Sequence, residues 1–305
     1  MTSARASLSR WLSIVLLWTG VPAGALGPLP PAAAPTLVVS HLPAKVGPGQ
    51  AVLISVTASE PLSSVSGQAF GQPLAFFRGQ AADTWQALTG IDLATAPQKH
   101  AVTVTARTAS HGAVKTVYEL AVLPKTFGVR RLKVPEKFVT PPKSALERIA
   151  REQKRLAAVY AASLPTRLWD GAFEQPADGA VSSPFGVRSD YNGKRGTPHR
   201  GTDFAGATGA PVRTPNAGRI VLAEDLYYSG NTVIVDHGLG LFSVLAHLSR
   251  SDVRVGDPVS AGATVGAVGA TGRVTGPHLH WSVRIGRASV DPLSLFALPA
   301  GEPPD

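Results

Sequence analysis

The chain has 305 residues, of which 44% are hydrophobic and 16% charged, a composition typical of a globular protein with room for two modest domains. It contains no cysteine, which excludes a disulfide framework, a zinc site with cysteine ligands and a lipidated N-terminal cysteine. The net charge of +9 is uneven, because residues 1–170 hold 18 Lys and Arg against 8 Asp and Glu (+10) and residues 171–305 hold 11 against 12 (−1).

The N-terminus has the pattern of a secretory signal. Arg5 and Arg10 precede the apolar run WLSIVLLWTGV, which a small-x-small cleavage motif ending at Ala25 follows. The run is too short for a comfortable transmembrane helix. We therefore expect a signal peptide over 1–25, export to the periplasm or beyond the cell, and no stable membrane span after cleavage; an uncleaved anchor is the alternative. A Pro/Ala-rich leader follows over 26–35.

Residues 36–123 are predicted to form an Ig-like β-sandwich. Short runs rich in Val, Ile and Thr, such as AVLISVTAS and AVTVTARTA, alternate with Gly, Pro and Ser. His41, His100 and His111 occur singly in this region. With no other metal-binding residue type near them in sequence, we interpret all three as surface or turn residues.

A basic linker is predicted over 124–170, with a connecting helix at about 144–162. Leu146, Ile149, Gln153, Leu156 and Tyr160 recur at helical spacing, and Ser144 with Glu147 has the spacing of a capping box. The helix is expected to pack against one of the two domains that it connects.

The basic surplus is densest over 125–155, with ten Lys and Arg against three acidic residues. Such a stripe attracts acidic polymers, which in an exported protein would be acidic polymers of the cell envelope. A solvated helix face is the more ordinary interpretation. Nucleic acid is not an expected partner, because no aromatic-basic recognition motif is present.

Residues 171–298 are predicted to be all-β, and 299–305 to be a short tail. Glycine turns separate many short strands, as in GNTVIVDHGLGLFSVLAHL, and no stretch has helical periodicity for more than two turns. An antiparallel sheet, open or partly closed into a barrel, fits this pattern.

Five of the eight histidines lie in this region. His199 and Asp203 in PHRGTDF are four apart, so on a strand they would share a face, and Gly201 between them permits a bend or a close approach. Both residue types are good zinc ligands.

In TGPHLHW, His278 and His280 share one strand face, while Leu279 and Trp281 point to the core. A catalytic zinc needs three protein ligands and an open position. His199, Asp203 and one of this pair supply three, and the other histidine is then free for proton transfer.

His247, at the end of FSVLAHL, is a further candidate on a neighbouring strand, where it would share a face with Ser243 and Leu245.

The motifs HRGTD, LAHL and GPHLHW, in this order, resemble the lysostaphin-type (LytM-like) zinc metalloendopeptidases, which cleave peptidoglycan peptides. The resemblance covers roughly 183–296. It implies a small antiparallel β-sheet domain with a narrow groove and one Zn²⁺. By position, the resemblance implies that the metal ligands are His199, Asp203 and His280. It implies that the catalytic histidines are His247 and His278.

One residue of this chain differs from the family pattern, and one histidine falls outside the implied metal site. Leu245 stands where the family often has tyrosine two residues before the catalytic histidine, which affects no metal ligand. His237 would lie in a turn outside the metal site. Asn192 and Arg200, beside the first ligand, are candidate substrate contacts in the groove.

The resemblance implies hydrolysis of peptidoglycan cross-links by a water that the metal activates. Two alternatives remain open at this point: an envelope module without catalytic activity that activates another wall hydrolase, and a zinc peptidase that acts on protein substrates.

Overall fold

The computed structural model describes residues 35–79, 81, 83–108, 110, 112–133 and 141–299. The predicted signal peptide, the leader up to residue 34, His111 and the tail from residue 300 lie outside these residues. The described residues belong to one compact unit, and the domain boundaries expected inside it stay predictions. None of the helices in this part of the chain has both the length and the apolar character needed to cross a membrane.

The N-terminal half contains two four-stranded antiparallel sheets, with strand orders β1-β2-β6-β5 and β4-β3-β7-β8. Alternate residues of β2 and β7, such as Val52, Ile54 and Val104, are fully buried in one hydrophobic cluster that both sheets share. The sandwich layout follows from this shared core, whereas the Ig-like classification stays a prediction. The strands are β1 (Leu37–Leu42), β2 (Ala51–Ala58), β3 (Leu62–Ala69), β4 (Gln72–Pro73), β5 (Phe76–Arg78), β6 (Trp85–Gly90), β7 (Lys99–Thr108) and β8 (Gly112–Ala121).

The linker forms a short strand, β9 (Val129–Leu132), and the predicted helix, α1 (Lys143–Ala161). The capping box is wrong: Pro142 is the N-cap and no side chain caps the helix, because the helix begins early enough to place Ser144 inside it. Leu146, expected on the packed stripe, is 51% exposed.

The helix packs on the C-terminal half through its second half and its arginines. Leu156, Val159 and Tyr160 lie against a buried cluster that includes Phe242. Arg148 bridges Glu152 and Asp225, and Arg155 pairs with Glu224. These two arginines of the basic stripe therefore hold the helix to the neighbouring strand, and the interpretation of its other charges stays a prediction.

The C-terminal half is a ten-stranded antiparallel sheet, which confirms the mainly β prediction. Its main path runs β10-β12-β19-β16-β15-β14-β17, so β19 lies between β12 and β16 at the centre. The strands are β10 (Val181–Ser183), β11 (Arg188–Tyr191), β12 (Thr202–Ala205), β13 (Pro211–Arg213), β14 (Gly218–Leu226), β15 (Gly230–Gly238), β16 (Leu241–Ser251), β17 (Pro258–Val259), β18 (Thr264–Val268), β19 (His278–Ile285) and β20 (Ala288–Val290), followed by a 3-10 helix (Pro292–Ala297). Strand β11 lies outside this sheet and pairs in parallel with β9.

Candidate metal centre

Strands β12 and β19 bring the central residues of the site together. Asp203 is the cross-strand partner of His280, and Ala205 is the partner of His278. Leu279 and Trp281 are fully buried in the core, so the two histidines between and before them face the opposite side. The predicted alternation along TGPHLHW is confirmed.

His199 reaches the same place by a different route from the one its spacing predicts. It precedes β12, so the expectation that it shares a strand face with Asp203 is wrong. The chain bends at Gly201, where a Cβ atom would lie 2.6 Å from His280 Cε1. The predicted close approach at this glycine is confirmed, because any side chain there would displace the imidazole.

Three potential ligand atoms converge at this point. His199 Nε2 lies 3.1 Å from Asp203 Oδ1 and 3.1 Å from His280 Nδ1, and His280 Nδ1 lies 2.8 Å from Asp203 Oδ1. In the described part of the chain this is the group of His, Asp or Glu residues with the spacing to hold a metal ion.

The donor set fits a zinc ion. His199 Nδ1 lies 3.2 Å from the carbonyl of Pro184, which can only accept, so the ring hydrogen belongs on Nδ1 and the Nε2 lone pair faces the carboxylate. A lone pair facing an anion is repulsive unless a cation lies between them. Ligand atoms around tetrahedral zinc are about 3.4 Å apart, slightly more than these three distances.

Asp203 is held as an anion. Burial raises the pKa of its carboxyl group, but the imidazoles of His199 and His280, which lie against it, outweigh burial, so its pKa lies below the ordinary value. A buried carboxylate that stays ionised is suited to balance the charge of a metal ion.

His247 enters the site through an unusual backbone conformation. Its φ of +65° lies in the left-handed region, which residues other than glycine rarely adopt. The expectation that His247 shares a face with Ser243 and Leu245 is therefore wrong: those two are buried in the core, whereas His247 lines the pocket. Strain of this kind is characteristic of functional positions.

His247 and His278 form a pair beside the three ligand atoms. Their ring centroids are 4.9 Å apart, and His278 Nε2 lies 3.8 Å from Asp203 Oδ1. Each Nδ1 faces a backbone carbonyl, of Thr271 at 2.9 Å and of Gly276 at 2.8 Å, so each Nε2 keeps a free lone pair. Burial, reinforced by nearby His280, lowers the pKa of His247 to about 3, so this imidazole stays neutral.

His237 lies outside the metal group, as expected, but in β15 rather than in a turn. It is fully buried, with Nδ1 2.7 Å from the Ala217 carbonyl and Nε2 2.9 Å from Ser243 Oγ. Ser243 Oγ also accepts a hydrogen bond from Trp281 Nε1 at 3.2 Å. These bonds form a closed polar network on the core side of β19.

The site opens into a cavity of about 610 Å³. Arg200 lines it and also contacts Asp92, whereas Asn192 is exposed in the turn after β11 and is not part of its wall. The substrate-binding roles of these two residues stay predictions. Arg130 and Arg273 also line this cavity, although no local spacing connects them to the histidine motifs and the sequence alone does not predict them there.

Known proteins match this half of the chain. Residues 197–292 match the model of peptidase family M23. The peptidoglycan DD-endopeptidase ShyA of Vibrio cholerae is 46% identical over 90 residues, which are 30% of this chain and 21% of that protein. The DD-carboxypeptidase/endopeptidase Mpg of Neisseria meningitidis is 40% identical over 122 residues, 40% of this chain and 28% of that protein. The chain thus covers less than a third of the length of either relative.

A solved structure also matches most of the chain. A crystal structure from Pseudomonas aeruginosa, of a protein assigned to peptidase M23, is 33% identical with a TM-score of 0.64. The alignment covers 83% of this chain and 96% of that one, so it includes residues well outside the 197–292 segment. Similarity over nearly the whole of that protein, together with the match of the histidine motifs to the family model, shows that this chain belongs to peptidase family M23.

Proposed function

We propose that the protein is a zinc-dependent endopeptidase that hydrolyses the peptide cross-links of peptidoglycan. The observation that carries the proposal is the convergence of His199, Asp203 and His280, with the free Nε2 atoms of His247 and His278 beside them. A non-catalytic module that only activates another hydrolase would not need this complete set.

His199 Nε2, Asp203 Oδ1 and His280 Nδ1 would hold the ion, which when bound supplies a Lewis acid and a water of lowered pKa. His278 is the proposed acceptor of the proton of the attacking water, because its Nε2 lies near Asp203 Oδ1. The protonated His278 then donates to the nitrogen of the leaving amine. His247 packs against His278, and we propose that it assists this transfer.

Peptidoglycan is the proposed substrate because three relatives of this chain from Vibrio cholerae are named as peptidoglycan DD-endopeptidases. Action in the cell envelope agrees with the predicted signal peptide, and contact of the basic linker with acidic envelope polymers stays part of the proposal. A zinc peptidase on protein substrates is the competing outcome of the test.

The test measures metal and hydrolysis together. Purified protein should contain one zinc per chain by elemental analysis and should release soluble fragments from peptidoglycan sacculi. His199→Ala should lose both zinc and activity. His100→Ala is the matched control, since this histidine lies in β7 of the N-terminal half and bonds to the Ala96 carbonyl.

Two results would contradict the proposal. One is stoichiometric zinc without any hydrolysis, in an assay where a known wall hydrolase digests the same sacculi. The other is efficient cleavage of casein with none of purified muropeptides, which would establish a protein peptidase.

A further inference from the structure

The charged residues of the catalytic cavity are unbalanced. Its wall contains three arginines, Arg130, Arg200 and Arg273, and one carboxylate, Asp203. Asp203 is already engaged by His199 and His280. The cavity therefore offers a bound molecule cationic groups and no available anion, which favours a negatively charged ligand.

Two of these arginines have other contacts. Arg200 Nη1 lies 3.3 Å from Asp92 Oδ2 and 3.2 Å from Ser289 Oγ. The guanidinium of Arg273 lies over the ring of Tyr228, 4.7 Å from its centroid. Both side chains therefore have an internal role in shaping the wall of the cavity.

Arg130 is different. It is half-buried, and its Nε donates to Ser189 Oγ at 2.6 Å. Among the residues that the structure describes, no carboxylate pairs with it. With Nε held, the two terminal nitrogens remain as a fork that matches a carboxylate in a bidentate pair.

Arg130 is held in place by the linker, outside the 197–292 segment of the family match. Strand β9 pairs in parallel with β11, with Arg130 opposite Ser189 and Arg131 opposite Asp190. The amide of Arg188 donates to the Gly128 carbonyl at 3.0 Å. At Gly186, whose φ is +82°, a Cβ atom would lie 2.0 Å from Phe127 Cδ1, so the linker fits closely against the catalytic half.

We infer that Arg130 binds a free carboxylate of the peptide substrate close to the scissile bond, and that it makes the enzyme selective for acidic peptides. The inference rests on the proposed peptidase function and names the feature of the substrate that the site recognises. A residue of the linker would then contact the substrate directly. Partial burial strengthens such a pair relative to one in open solvent.

The experiment compares two cross-linked muropeptides that differ in one group, a free carboxylate or a carboxamide on the residue next to the scissile bond. For the wild-type protein, kcat/KM should be about 10- to 100-fold higher for the carboxylate, as expected for a hydrogen bond to a charged group. In Arg130→Gln this ratio should fall to about one. Arg130→Lys, which keeps the charge but loses the fork, should give an intermediate ratio.

Arg131→Gln is the matched control, because Arg131 is the next residue of β9, is exposed and does not line the cavity. It should keep the wild-type ratio. Thermal melts and zinc content of each variant establish that it is folded. Equal cleavage of both peptides by the wild-type protein, or an unchanged ratio in Arg130→Gln, would overturn the inference and leave the peptidase function intact. Failure of zinc-loaded wild-type protein to cleave either peptide would overturn both.

Discussion

The two sides of strand β19 hold histidines in opposite situations. On the core side, both ring nitrogens of His237 have partners inside the protein, Ala217 and Ser243. On the cavity side, His199 Nε2 and His280 Nδ1 converge on a carboxylate oxygen. Burial alone thus does not distinguish a structural histidine from a functional one. The difference is whether the nitrogen lone pairs are satisfied by hydrogen atoms of the protein or require a cation.

The largest expected effect comes from the cavity side. His278→Ala should lower kcat for muropeptide cleavage by about 10²- to 10⁴-fold, the usual contribution of a general base. Zinc content should stay near one per chain, because this residue is not one of the three converging ligands. Parallel measurement of zinc and kcat checks the separation, and loss of zinc together with activity would instead make His278 a ligand.

A smaller effect is expected from the backbone between the first two ligands. Gly201→Ala would place a methyl group 2.6 Å from His280 Cε1 and would displace that imidazole. We expect zinc affinity to fall about 10- to 100-fold, as for other changes that shift the orientation of a ligand. Competition with a chromophoric chelator measures it. Gly209→Ala, in a turn where a Cβ would meet nothing within 4 Å, controls for glycine replacement at a site with space; because φ there is +93°, it reports backbone strain without the clash.

The core side should respond in stability instead. Ser243→Ala leaves Trp281 Nε1 and His237 Nε2 without their shared partner, which should cost about 1–3 kcal/mol of unfolding free energy for an unsatisfied buried group. Urea denaturation measures this loss. Ser251→Ala, at the exposed end of β16, the strand that also contains Ser243, should change stability by much less. An equal effect of both substitutions would contradict the importance of the network.

The pH dependence of stability gives the finest test. Burial lowers the pKa of His237 to about 4, below the value of 6.5 for an exposed histidine. Between these two values the unfolded chain binds a proton at this histidine that the folded protein does not. The free energy of unfolding is therefore unaffected by His237 above about pH 6.5 and falls as the pH drops toward 4. The loss should approach about 3 kcal/mol. The pKa of His247 is also lowered, so His247 adds to the same pH dependence. The measurement is therefore the slope of unfolding free energy against pH, compared between wild-type protein and His237→Gln. Equal slopes would refute the contribution of His237.

Local sequence patterns predicted much of the site. The alternation of His278, Leu279, His280 and Trp281 depends only on the two-residue period of a strand, so it could be predicted without knowing the neighbours. The helix over about 144–162 and the mainly β C-terminal half were predicted from periodicity and turn residues in the same way. The ends of that helix differ from the structure by one residue at most.

Contacts between distant segments could not be predicted so directly. The His247 side chain faces the cavity because its backbone is in the left-handed conformation. In that conformation its amide donates a hydrogen bond to the Ser229 carbonyl. The exposure of Leu146 depends on which face of α1 meets β14, and helical periodicity does not specify the partner.

Residue types and short spacings are enough to indicate a metallopeptidase site, because ligand chemistry and strand periodicity act over a few residues. The approach of His199 to Asp203 and the place of Arg130 in the cavity wall depend instead on contacts between distant segments of the folded chain. The pairing of β9 with β11 joins segments nearly 60 residues apart, from Val129 with Arg188 onward. Such pairing depends on the packing of the whole chain, which no short motif encodes.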